Sequence, residues 1–129
     1  MPYAIGIVLS AGVALFARGV GFDRDRAFYP TVLIVVAAYY VLFAVMGGSV
    51  NALIIETIVM AAFLIAAVMG FKSSSWIVVL GLFGHGVLDA FHGQIIENPG
   101  VPSWWPAFCL AYDVGAAVWL GWLLRVPTK

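Results

Sequence analysis

Apolar residues along this chain do not alternate with polar ones. They gather into five continuous runs, roughly Tyr3–Ala17, Pro30–Met46, Ala52–Phe71, Trp76–Ile96 and Pro106–Leu124. Inside lipid only helices and closed barrels satisfy the backbone, and a barrel strand alternates. The pattern therefore predicts an all-α integral membrane protein, a compact bundle of five transmembrane helices forming one domain over residues 1–129. The first run is short for a hydrocarbon core of ~30 Å, so its helix is expected to borrow residues from its ends. Pro30 opens the second run, where the first turn of a helix tolerates it.

Composition supports that reading. Hydrophobic residues make up 64% of the chain and charged ones 9%, against roughly 45–50% and 25% in a soluble domain. A fold this small has too little interior to hide so much apolar surface. The net charge is zero, which removes the electrostatic case for a nucleic-acid partner. One cysteine, Cys109, allows no internal disulfide. No Lys or Arg precedes Arg18, so the first run does not read as a cleavable signal peptide. The sequence contains no GxxxxGK[ST] phosphate loop, no GxSxG elbow and no CxxCH haem attachment.

The basic residues set an expected orientation. Arg18, Arg24 and Arg26 follow the first run, Lys72 follows the third, and Arg125 and Lys129 follow the fifth. With five spans all six fall on one side, which the positive-inside rule makes cytoplasmic. The N-terminus is then outside and the C-terminus inside, in a multi-pass protein of the cell membrane, expected to be a bacterial inner membrane. Gly6, Ser10 and Ala14 in the first run, and Ala117 and Gly121 in the fifth, form small-residue stripes of the kind that let membrane helices approach closely.

Against this background the ionisable residues are the anomaly. Glu56, Asp89 and Asp113 fall inside the third, fourth and fifth runs, and both histidines, His85 and His92, fall inside the fourth. A charged Asp near a helix centre costs ~2.5–3.5 kcal/mol on insertion scales. His85, Asp89 and His92 stand at i, i+4 and i+7 in GHGVLDAFHG, on one helix face. Asp113 aligns with Cys109, Ala117 and Gly121. With a rise of ~1.5 Å per residue, all five groups are expected in the outer half of the bilayer, around one polar cavity open to the outside. No Lys or Arg inside the runs can neutralise the acids, which leaves protons or a cation to do so.

Imidazole and carboxylate donors suit a transition metal such as zinc, iron or manganese better than magnesium or calcium. The expected ligands are His85, Asp89 and His92, with Glu56 or Asp113 as a catalytic base or a further ligand. Cys109 is a soft donor on the Asp113 face, although a small buried thiol is the commoner reading. Tyr39 and Tyr40 diverge by ~100° on their helix, so at most one faces the cavity. The connection QIIENPGVPSWWP is stiff and non-helical, and reads as a lid over the site or as an interfacial turn anchored by Trp104 and Trp105.

The functional expectation is a metal-dependent membrane hydrolase or oxidoreductase. Its partners would be the lipid bilayer and a lipid or other apolar substrate. The alternatives are a proton- or cation-coupled transporter or channel subunit, a pigment-binding protein, and a structural subunit of a membrane complex or homo-oligomer. Few polar residues occupy the expected inner half, which argues for a one-sided pocket over a through-path.

Overall fold

The computed structural model describes residues 2–125. Five helices carry the chain: α1 (Pro2–Val20), α2 (Phe28–Met46), α3 (Val50–Lys72), α4 (Ser75–Ile95) and α5 (Trp105–Arg125), with a 3-10 turn at Phe22–Arg24 between the first two. Each has 19 to 23 residues, and all five are long and apolar enough to cross a membrane. Their lengths of ~28–35 Å match a hydrocarbon core of ~30 Å.

The helices start earlier or end later than the apolar runs that announce them. α1 extends through Arg18 to Val20. A cation is favourable in the last turn of a helix, and a long arginine stem lets the charge reach the interface. α3 begins at Val50 because Ser49 caps it, its Oγ accepting from the Ala52 amide at 3.1 Å. The turn before it is only three residues long and passes through Gly48 at φ 70°, a left-handed conformation that glycine adopts without strain.

Packing follows the small residues. α1 lies along α5, α5 along α4, α4 against α3 and α3 against α2. Gly6, Ser10, Ala14 and Ala17 form the buried face of α1. A Cβ at position 6 would run into the Phe108 carbonyl of α5, so glycine sets how near these two helices come. α2 also reaches across the bundle, where Leu33 fills the space left by Gly81 of α4.

The interior combines an apolar core around Leu33, Val78 and Leu82 with the buried ionisable groups, and the outer surface is apolar. Large hydrophobic side chains such as Val8, Ile58 and Leu80 are two-thirds exposed or more, while Glu56, His85, Asp89, His92 and Asp113 are all 2% exposed or less. A water-soluble protein of this size would not present so continuous an apolar surface. A lipid-solvated bundle does.

Candidate metal centre

The face of α4 that carries Val78, Gly81, Leu82, His85, Asp89 and His92 is buried along its whole length. Opposite it, α5 presents Cys109 and Asp113 one turn apart, followed by Ala116, Ala117 and Leu120. Gly86 keeps the two helices close at this level: a Cβ there would stand 3.0 Å from Val114 and 3.5 Å from the Asp113 Cβ. The chemistry at the seam follows from that proximity.

His85, Asp89, Cys109 and Asp113 each offer one donor atom to a group in which all donor atoms lie within 4.8 Å of one another. His85 Nδ1 stands 2.7 Å from Asp113 Oδ2 and 3.5 Å from Asp89 Oδ2. The Cys109 thiol points at Asp113 Oδ2 from 3.6 Å. Asp89 Oδ1 accepts a 2.6 Å hydrogen bond from the Tyr40 hydroxyl. The other oxygen of each acid, Asp89 Oδ2 and Asp113 Oδ1, is buried with no hydrogen-bond partner. Buried polar atoms are paired in all but a few cases, and leaving one unpaired costs ~1–3 kcal/mol. Two such oxygens belong to acids of a donor group able to chelate a metal ion.

Among the described residues no lysine or arginine side chain pairs with these acids. Among the described residues the ion pair involving a lysine or arginine is Arg18 with Asp23, at 3.7 Å in the first connection.

The remaining two groups stand apart. His92 Nε2 lies 2.6 Å from Glu56 Oε2, so α3 and α4 are joined here, not α4 and α5. The Asn98 amide nitrogen donates to the same Glu56 oxygen at 2.8 Å and to the Tyr40 carbonyl at 3.1 Å. Between the two groups stands Tyr40. Its ring stacks on His92 with centroids 4.0 Å apart and planes 10° apart, and lies 5.9 Å from the His85 ring.

The structure thus brings His85, Asp89 and Asp113 together, adds Cys109, and places His92 and Glu56 in a second group. Of the two adjacent tyrosines, Tyr40 turns inward and Tyr39 packs on Trp105. Asn98 carried a readable turn signal in Asn98-Pro99-Gly100, but nothing in that signal pointed its side chain inward. Cys109 was legible as a donor through its i, i+4 relation to Asp113.

One expectation is overturned. The site is not an outward-facing cavity, and with it falls the reading of a metal enzyme or transporter working on an open pocket. The donor group is buried on all sides, with side chains of His85, Asp89 and Asp113 at most 1% exposed. The physical reason is close packing: Gly86 holds α4 against α5, Tyr40 covers Asp89 and the Phe63 ring lies 4.8 Å from the His85 ring, while the connection between α4 and α5 closes over the second group. Gly100 packs so tightly on the Phe43 carbonyl that no Cβ fits, and this seats Asn98 over Glu56 and Tyr40. A separate apolar cleft of about 430 Å³ runs between α1, α2 and α5, and Cys109 is the one residue of the donor group that lines it.

Fold and site together define a multi-pass membrane helical bundle with an interior His/Asp/Cys/Asp cluster able to chelate a metal ion. No family model, no curated protein and no solved structure matches the chain.

Proposed function

We propose that this protein binds one divalent transition-metal ion inside its helical bundle, through His85, Asp89, Cys109 and Asp113, and that the ion clips α4 to α5. The observation that carries the reading is the pair of unpartnered buried oxygens, Asp89 Oδ2 and Asp113 Oδ1, within a donor group spanning 4.8 Å. Two ligands come from each helix, so the ion closes a cross-link that neither helix can make alone.

The donor set narrows the ion. Thiolate and imidazole favour zinc and iron, and the two carboxylates are compatible with both. Manganese, expected alongside them, is less suited to a site containing a thiolate. Four protein donors with no open position resemble a structural site more than a catalytic one, which keeps a place for water or substrate. Glu56 and His92 are outside the first shell in this reading. The distribution of Arg18, Arg24, Arg26, Lys72 and Arg125 supports a cytoplasmic C-terminus and an external N-terminus in the cell membrane.

The test is elemental analysis of protein purified in detergent without added chelator. One equivalent of zinc or iron per chain is expected, lost with a rise in unfolding sensitivity when a strong chelator is applied during partial unfolding. A preparation without metal that takes up neither zinc nor cobalt, at unchanged helical content, overturns the reading.

A further inference from the structure

Glu56, His92 and Asn98 do not reach the donor group, yet they form a second buried polar cluster in contact with it through one residue. Tyr40 touches both. Its hydroxyl donates to Asp89 Oδ1 at 2.6 Å, its ring lies flat on His92, and its backbone carbonyl accepts from Asn98. Tyr40 itself is 2% exposed.

We infer that Tyr40 is the positioning residue for Asp89, and that the Glu56–His92–Asn98 group exists to hold Tyr40. The inference rests on the metal reading above.

The argument starts from what Asp89 needs. A carboxylate on a helix turns about its terminal torsion with little resistance, because that torsion is broad and two-fold. Free to turn, Asp89 would present either oxygen to His85. The Tyr40 hydroxyl engages Oδ1 and leaves Oδ2 alone, unpartnered and 3.5 Å from His85 Nδ1. One oxygen is thereby assigned to the protein and the other to the centre. Partners of this kind fix the orientation and basicity of metal ligands, and their loss typically costs 10–100-fold in affinity.

Tyr40 can do this only if it is fixed in turn. One amide group, Asn98 Nδ2, ties the Tyr40 backbone to Glu56 Oε2, and Glu56 ties His92 against the Tyr40 ring. Three elements, α3 through Glu56, α4 through His92 and the connection before α5 through Asn98, are locked around a single side chain of α2. This gives a use to two of the buried ionisable groups that stand outside the centre.

The experiment is cobalt(II) titration of the chelator-stripped full chain in detergent micelles, followed by visible absorption. Tyr40→Phe keeps the ring and its stack on His92 and removes only the hydroxyl. It is expected to weaken cobalt binding roughly 10–100-fold and to displace the visible band, at unchanged helical content and elution volume. Asn98→Ala is expected to act in the same direction by a smaller factor. The double variant is expected to bind no more weakly than Tyr40→Phe, because both changes act through one side chain.

A wild-type chain that takes up no cobalt overturns the metal reading itself, and the role of Tyr40 with it. A wild-type chain that binds cobalt, with Tyr40→Phe unchanged in affinity and spectrum, overturns the positioning role alone. If Tyr40→Phe fails to fold, Asn98→Ala decides: an unaltered affinity and band overturn the inference, and a weaker, displaced one supports it.

Discussion

The two buried polar groups of this bundle share a helix face, a depth of burial and a kind of residue, yet they are built to different ends. In the Glu56–His92–Asn98 group one carboxylate oxygen accepts from both an imidazole and an amide, at 2.6 and 2.8 Å. In the His85–Asp89–Cys109–Asp113 group two carboxylate oxygens, one from each of two helices, are buried without a hydrogen-bond partner. The first group is close to closed within the protein, with Glu56 Oε1 its one unpaired atom. The second leaves two acid oxygens, Asp89 Oδ2 and Asp113 Oδ1, without a partner. Ionisable residues in a membrane interior are thus not one category. The count of open acceptors separates the group that fastens helices from the group proposed to bind an ion.

The comparison breaks most visibly at Asp113. Asp113→Asn replaces a charged donor by a neutral amide while keeping its shape. Metal affinity should fall by about 100-fold or more, beyond the usual effect of losing an outer-shell partner, as read by metal-to-protein ratio after dialysis against a competing chelator. Glu56→Gln is the matching change in the other group. It should weaken metal binding far less than Asp113→Asn, because it acts only through Tyr40, and lower stability by ~1–3 kcal/mol through weaker, mismatched hydrogen bonding, as measured by denaturant titration in micelles. If Glu56→Gln removes the metal and Asp113→Asn does not, the division between the groups is drawn in the wrong place.

Two smaller effects sharpen the contrast. Gly100→Ala forces the connection off the Phe43 carbonyl and should cost roughly 1–3 kcal/mol, the range for overpacking a well-packed site. It should also speed metal loss to an external chelator, because Asn98 no longer sits over Glu56 and Tyr40. Cys109→Ser keeps the volume and exchanges a soft donor for a hard one. It should reduce zinc or cobalt affinity on the order of 10-fold and abolish the sulfur-to-cobalt charge-transfer absorption, with the helical fold intact. A charge-transfer band that survives in Cys109→Ser removes the thiol from the centre.

Much of the molecule was legible before any coordinates. The continuous apolar runs gave five helices with ends displaced by only a few residues, because in lipid the length and hydropathy of a span are tightly tied to bilayer thickness. The i, i+4, i+7 spacing of His85, Asp89 and His92 correctly put all three on the buried face of α4. It did not say which of them meet. Seven residues of helix separate His85 from His92 by ~10.5 Å along the axis, and in the structure His85 meets Asp113 while His92 meets Glu56. Asp89 stands between them and is free, on spacing alone, to join either. The outward opening failed for a related reason: Tyr40 of α2 covers Asp89 and Asn98 reaches Glu56 from an irregular connection, and no periodicity reports either contact.

What the sequence by itself determined is the solvent and the anomaly: a chain that lipid must dissolve, carrying acids and imidazoles that lipid does not tolerate unpaired. Both follow from composition and one-dimensional spacing. What only the tertiary structure decided is the pairing. Asp113 and Cys109 of α5 claim the His85 end of the stripe, Glu56 of α3 claims the His92 end, and Tyr40 of α2 stands between them. The reason is physical: a helix fixes where its side chains point, but which oxygen stays without a partner depends on the neighbours that arrive from other helices.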